Sequence, residues 1–550
     1  MTSEEIHVPV LIVGGGPVGL QIAIELGLWD VGCLLVNDQA ETTDIPKVGT
    51  ISARTMEHFR RTGVAPLLRR EGLPADHPTD VVCCTRFSGL ELARMPQASN
   101  QETVQIAARG EGAWPTPEPP LRASQILEER CQKERAQALP AIDLRFGWRV
   151  ESFSQENDCV RAKAVESATG KAIDIRADYM VGADGGNSMV RPQLGYDYMG
   201  ESGVEREFLG GKMFFVYFEA TRDRAWYGLD DAWMFWVLNP QMRAVMLQVD
   251  SPNRFILHSA VKPGVDIATL DPDWYLKTAA GVAFPYKKLA VSTWTAGFCL
   301  VAEHYSQGHV FLCGDSAHLF TPAGGNGMNT GVDDAVNLAW KLAALCKGWG
   351  GPRLLATYEQ ERRPIGLRNT EYARDLARWV GGMKVPKEIE SDNAAGREQR
   401  AQIGLELDKF MHTEYIVPGL ILGIRYDQSD VIVFDDGVRP PDEAATCVPV
   451  GCPGIRAPHF WLDGGQSLFD RMGHGFTVMK LGATSTSTAA IENAAEERGV
   501  PLHVIEISDP TIRDAYERDL VLVRPDQHVA WRGNQAPDDS LALFDKLTGN

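Results

Sequence analysis

Apolar residues follow two different periods along this chain, and the change from one to the other separates its units. Val8 to Val13 is a short apolar run that ends in glycines, Val18 to Leu28 carries apolar residues at helical spacing, and Cys33 to Val36 is a second apolar run. Strand, helix and strand in that order predict a βαβ unit. The middle of the chain is of another kind. Between Phe208 and Val261 lie short stretches rich in aromatic and β-branched residues, such as Lys212 to Phe218 and Arg243 to Val249, and these predict a sheet of antiparallel strands. Helical spacing returns from Gly331 to Cys346, where Val332, Ala335, Val336, Leu338, Ala339 and Leu342 mark one face. The charged segment 384–404 reads as a linker or a pair of surface helices. Beyond it, Phe476 to Leu481, Ala489 to Glu497, Leu502 to Ile507 and Leu520 to Arg524 predict a compact α/β unit, with the polar stretch 483–488 as a loop.

A chain of 550 residues is too long for one hydrophobic core, so two or three domains are expected. With 44% hydrophobic and 23% charged residues it has an ordinary globular composition. Its net charge of -19 repels phosphate backbones, which excludes nucleic acid as a partner and favours a small organic molecule. The N-terminus is acidic where a secretory signal would be basic, and the apolar run after it is broken by Gly14, Gly15, Gly16 and Pro17. A membrane helix needs roughly 20 apolar residues, and the best stretch, Tyr415 to Ile424, is short and holds Pro418 and Gly419. A cytoplasmic protein is therefore expected. The 10 cysteines include no C-x-x-C pair, so they read as buried thiols, with no metal site and no dithiol centre.

Gly14-x-Gly16-x-x-Gly19 stands where the first strand gives way to the first helix, the context that a dinucleotide fingerprint requires. The first glycine permits a tight turn, the second lets the backbone approach a diphosphate, and the third lets helix and strand pack closely. Pro17 opens the helix, whose free N–H groups face the phosphates. An acidic residue is expected about 20 residues later for the ribose; here Asn37 ends the second strand and Asp38 follows. An asparagine carbonyl still accepts that hydrogen bond.

Two further motifs give the chain a family resemblance. Gly182-Ala-Asp184-Gly-Gly-Asn-Ser188-Met-Val-Arg191 resembles the "DG" motif of the class A flavoprotein aromatic hydroxylases, and Gly314-Asp315-Ser-Ala-His318 through Pro322, Gly325, Gly327, Met328 and Asn329 to Asp334 resembles their "GD" motif. Order and spacing follow the family, and the resemblance covers nearly the whole chain. It implies a Rossmann-like FAD-binding α/β domain (1–75, 100–190 and 285–400) and an inserted β-sheet substrate domain (76–99 and 191–284). It also implies a thioredoxin-like α/β domain at 405–550, of the phenol hydroxylase branch, without redox cysteines and with dimerisation as one possible role.

The same resemblance implies that Asp315 meets the flavin ribitol, that the glycines from Gly324 to Gly327 let the backbone approach the flat ring, that the helix beginning near Gly331 aims its positive end at the flavin, and that Gln125, Arg54 and Asp184 lie at the cofactor. His318 is implied to be structural. Lys47 stands in Pro46 to Thr50, where relatives place a cation between flavin and substrate, and is the catalytic candidate. Gly49 stands where some phenol hydroxylases carry a histidine, so the residue that accepts the phenol's proton is left open. The implied reaction is reduction of FAD by NADH or NADPH, addition of oxygen at the flavin C4a position and hydroxylation of a phenolic ring. Phe215, Tyr217, Phe235 and Trp236 are the candidates to contact that ring, though strand alternation allows only half of them to face it. A flavin oxygenase that tailors a larger polycyclic aromatic is the alternative, and a homodimer is expected. The W-x-W-x-I-P signature of flavin halogenases does not occur.

Overall fold

The structure, a computed structural model, describes every residue except 1–3, Val48, Arg224, Pro263 and Thr484. The first residues of the acidic N-terminus, the centre of the Pro46 to Thr50 stretch and one position of the 483–488 loop thus lie outside the described residues.

Strand Glu4–Val13 pairs in parallel with Cys33–Asn37 on one side and Ala172–Gly182 on the other, and Ile142–Phe146 and Val310–Leu312 extend the sheet in the same sense. Val10, Leu11 and Ile12 have no exposed surface, as expected of strands covered on both faces. Helix Pro17–Leu28 follows the first strand through the glycine turn. Gly14 has a φ of +111°, and a Cβ there would stand 2.2 Å from the Ala183 carbonyl oxygen; a Cβ on Gly19 would stand 2.0 Å from that of Gly14. Only glycine fits at either position.

The second sheet runs in the order Lys287–Ala296, Gly211–Glu219, Arg254–Ala260, Arg243–Gln248, Met234–Leu238, Val81–Cys84, Glu91–Met95. Its neighbours are antiparallel except for Val81–Cys84 beside Met234–Leu238, which is parallel. The strands between Phe208 and Val261 pair antiparallel with one another as that stretch predicts, and the parallel pair arises where strands from an earlier part of the chain join the sheet.

Helix Asn326–Cys346 begins ahead of the Gly331 read from apolar spacing, since Gly325 adopts a left-handed conformation (φ 63°) and starts the helix at the next residue. The segment read as a linker or a pair of surface helices ends in a long helix, Ala394–Tyr415, with Asn393 as its cap. Its Ile403, Leu407, Phe410 and Met411 are buried at helical spacing, and the helix packs on Glu91–Met95 of the second sheet. A boundary at 405 cuts through this helix, whose apolar face belongs with the sheet domain.

In the C-terminal unit Phe476–Leu481 pairs in parallel with Leu502–Ile507 and antiparallel with Leu520–Val523, and Val529–Gly533 completes the sheet. Cys447 and Cys452 precede it and are unbridged. A buried polar seam ties this unit to the first domain: Arg524 donates to Glu361 at 2.5 and 2.8 Å and to Asp526 at 2.5 Å, and Lys341 donates to Glu361 at 2.7 Å. Among the described residues no helix is long and apolar enough to cross a membrane.

Candidate active site

A cavity of about 1390 Å³ runs from the glycine turn of the first domain to the face of the second sheet. Sites for one small ligand span roughly 300–1,000 Å³, so this one has room for a dinucleotide and a second molecule.

At the dinucleotide end the cavity is lined by Gly14, Gly16, Pro17, Asn37 and Asp38. A Cβ on Gly16 would meet nothing within 4 Å, so this backbone is open on the cavity side. Helix Pro17–Leu28 has no side-chain cap, which leaves its N–H groups for a phosphate. Asn37 Oδ1 accepts the Gly15 N–H at 3.0 Å and keeps a second lone pair. Gly19 lies behind the turn and acts through packing.

Further along, Lys47, Gln125, Asp184, Asp315, Pro322, Gly325, Gly327, Met328 and Asn329 all line the cavity. Gln125 Nε2 donates to Glu129 Oε1 at 2.6 Å, and Glu129 accepts the Thr43 N–H at 2.8 Å. Asp184 Oδ2 accepts the N–H groups of Met189 and Val190 at 2.7 and 3.1 Å, and its Oδ1 is buried without a partner among the described residues. Burial raises the pKa of Asp184 in spite of those bonds. The Asp315 side chain is exposed within the cavity; enclosure by the protein raises its pKa, opposed by His318 and Lys47. Lys47 is also exposed there and, among the described residues, forms no ion pair; its charge acts on Asp315 and Glu129. Asn329 braces the loop: its Oδ1 accepts from the Ser52 N–H (2.8 Å) and the Thr55 hydroxyl (2.7 Å), and its Nδ2 donates to the Gly325 carbonyl (2.7 Å). An uncapped helix, an open glycine backbone and cavity-facing carboxylates suit the diphosphate and polyol of FAD.

Arg54 does not reach the cavity. It is buried on helix Ala53–Thr62, donates to Glu57 (2.9 Å), Gln527 (2.7 Å) and the Asp526 carbonyl (2.6 Å), and belongs to the polar seam. A charged residue facing inward on this helix needs partners of opposite sign, which Glu57 and Asp333 of the first domain supply, while the C-terminal unit adds the neutral acceptors of Gln527 and the Asp526 carbonyl. His318 is buried against Asp334 at 2.6 Å, and His58 against Asp333 at 2.8 Å.

On the sheet, Phe215 and Trp236 form cavity wall, whereas Phe235 and Tyr217 do not. Phe235 alternates to the far face and packs on Phe87 and Tyr227, with centroids 6.0 and 5.4 Å away. Tyr217 shares the face of Phe215 but is covered by Val249 and Ile256.

Several residues that the sequence did not single out complete this end: Trp233, Trp294, His258, Arg122, Glu414 and Tyr415. Trp294 Nε1 donates to His258 Nδ1 at 3.1 Å, which leaves the histidine proton on Nε2. Burial lowers His258 to about 4, so it is neutral. Arg122 donates to the Thr50 hydroxyl (2.7 Å) and Gln97 Oε1 (2.9 Å), and its guanidinium lies 4.3 Å from the centroid of Trp233. Burial lowers it to about 10. Glu414 Oε1 accepts the Gly324 N–H at 3.0 Å, and its Oε2 is buried without a partner among the described residues. Burial raises Glu414 to about 7, outweighing that N–H, Tyr415 and Arg122.

Residues 7–373 match the FAD binding domain family, and residues 451–548 match the aromatic-ring hydroxylase C-terminal family. The chain is 31% identical to the tetracenomycin B2 monooxygenase-dioxygenase of Streptomyces olivaceus over 98% of each chain. It is 30% identical to the 2,4-dichlorophenol 6-monooxygenase of Delftia acidovorans, covering 96% of this chain and 95% of the relative. Among solved structures, RebC soaked with chromopyrrolic acid and holding 7-carboxy-K252c superposes with a TM-score of 0.89 at 34% identity, over 99% of both chains.

Proposed function

The chain belongs to the FAD-dependent aromatic-ring hydroxylases, and from that premise we propose that it spends NADH or NADPH and oxygen to hydroxylate a ring that carries a phenolic hydroxyl. The observation that supports this reading is the continuity of the cavity, in which the dinucleotide cradle opens directly onto walls of Phe215, Trp233, Trp236 and Trp294. When bound, FAD supplies the redox chemistry that activates oxygen. The residues of the chain bind, orient and screen. The backbone at Gly14 to Gly16 and the helix behind it hold the diphosphate, and Asp315 accepts from the polyol. Lys47 places a positive charge beside the flavin, and the indole and phenyl walls hold the ring flat while they exclude water.

A substrate of several fused rings is favoured over a single ring by the several indole and phenyl walls of the sheet end, Phe215, Trp233, Trp236 and Trp294, and by the likeness to a structure that holds 7-carboxy-K252c. The test is the oxidation of NADH and of NADPH by the FAD-loaded protein with a panel of single-ring and fused-ring phenols, with product analysis. Fused-ring phenols should give the larger stimulation and a hydroxylated product. Equal response to single-ring phenols would remove the size preference, and no response to any phenol would remove the hydroxylase reading for this ring class.

A further inference from the structure

We propose that Glu414 accepts the proton of the substrate's phenolic hydroxyl and that Arg122 holds the oxyanion so formed. The proposal rests on the hydroxylase reading above and names the acid–base group of the same site.

The geometry sets Glu414 apart from every other carboxylate at the sheet end. It is 5% exposed, on the last turn of helix Ala394–Tyr415, and it lines the cavity. One oxygen is fixed by the Gly324 N–H on the loop that the resemblance places at the flavin, and the other has no partner among the described residues. A buried carboxylate oxygen without a donor is costly unless something brings it a proton. The groups that face Glu414 are few. Arg122 and Tyr415 act on it, while Tyr372 and Cys83 feel its charge. The Tyr415 hydroxyl donates to Met234 Sδ at 2.9 Å and accepts from Trp236 Nε1 at 3.1 Å, and it also lies within reach of the Glu414 carboxylate, where it favours the charged form that accepts a proton. Arg122 is the cation of this cluster, and among the described residues it has neutral hydrogen-bond partners and no ion pair.

His258, the other titratable group on this wall, is a donor. Its Nδ1 is occupied by Trp294, so its Nε2 carries the proton and has no lone pair to offer. Acceptance thus falls to the carboxylate.

The step balances within the site. The O–H bond of the substrate breaks, its electron pair stays on the phenolic oxygen, and a new O–H bond forms at Glu414 Oε2. The negative charge moves from the carboxylate to the phenolate beside Arg122, and the ring becomes electron-rich. Glu414 ionises at about 7, near the working range of such a base.

Glu414→Gln keeps an acceptor for the Gly324 N–H and removes only proton acceptance, so it separates chemistry from loop support. In the FAD-loaded protein this variant should hydroxylate an unactivated phenol about 100-fold more slowly. It should treat an acidic nitrophenol, already ionised in solution, like the wild type. Loss of the limb near pH 7 from kcat/KM should accompany the change. Equal loss for both phenols, or no loss for either, would overturn the assignment.

A second readout needs no turnover. Bound to the wild type just below its solution pKa, 4-nitrophenol should show its phenolate absorption, and in Glu414→Gln or Arg122→Met it should remain neutral. The same spectrum in all three proteins would overturn the proposal. Phenolate formation on binding without any hydroxylated product would overturn the hydroxylase reading alone.

Discussion

Two buried polar regions of this molecule hold carboxylates in opposite states. In the seam between the first domain and the C-terminal unit every carboxylate faces a cation. Burial alone would raise Glu57, Asp333, Asp334, Glu361 and Asp526, yet Arg456, Arg362 and Arg524 hold all five below the usual carboxylate range. In the cavity, burial prevails over whatever opposes it at Asp184, Asp315, Glu129 and Glu414, and all four are raised. The seam is enclosed completely and the cavity less so, since Asp315 is exposed within it, and above all the partners differ. Paired charges make a rigid joint, and charges left short of partners mark the place where ligands complete the structure.

The largest effect should come from breaking the seam. Glu361→Ala strips Arg524 and Lys341 of their shared partner, and removing one member of a buried pair costs about 3–5 kcal/mol. Thermal unfolding should show a large fall in Tm, and an unchanged Tm would equate the seam with an exposed ion pair. The seam also sets the acid limb. Its carboxylates have folded values below their unfolded value of about 4, with Glu57 at about 2, so the stabilisation is complete above the unfolded value and is lost as pH falls toward the folded one.

In the cavity the effect should fall on ligands. Asp315→Ala should weaken FAD binding by about 1–3 kcal/mol, the cost of leaving a polyol hydroxyl unpaired, with the Tm of the apoprotein little changed. Equilibrium dialysis against FAD measures it, and full occupancy in the variant would remove Asp315 from the cofactor site. Lys47→Ala should slow flavin reduction or uncouple it, releasing hydrogen peroxide, while Lys47→Arg should retain more of the function. Unchanged reduction and coupling would make Lys47 an exposed loop residue. The smallest effect belongs to the cysteines: Cys447 and Cys452 are kept as thiols by burial, so the Cys447→Ser, Cys452→Ser double variant should turn over normally. A large loss with intact folding would give the C-terminal unit a redox role.

The dinucleotide end was legible in the sequence because its constraints are local. Gly14 and Gly325 each adopt a positive φ and Gly19 approaches the Gly14 carbonyl, all local demands, whereas the approach of Gly14 to the Ala183 carbonyl is long-range and only the fold shows it. Arg54 was misplaced for the opposite reason: its partners at Asp526 and Gln527 lie more than 470 positions away, and nothing nearby announces them. Phe235 and Trp236 are adjacent in sequence, and which of them faces the ring depends on sheet parity, which only the pairing with Arg243–Gln248 fixes. Glu414 was invisible because it sits at the end of a helix that a boundary at 405 divides, beyond the segment read as a linker or a pair of surface helices, and only packing on Glu91–Met95 carries it to the site. Arg122 stands three residues before Gln125 in the same stretch, and its missing ion pair becomes visible only in three dimensions.

The most direct test of the account is isotopic. The FAD-loaded protein, reduced with NADH or NADPH and exposed to ¹⁸O₂ in the presence of the best phenol of the panel, should yield a product whose new hydroxyl carries ¹⁸O. A product that acquires its hydroxyl from unlabelled water, or oxidation of the nicotinamide with hydrogen peroxide as the only outcome for every phenol, would contradict it.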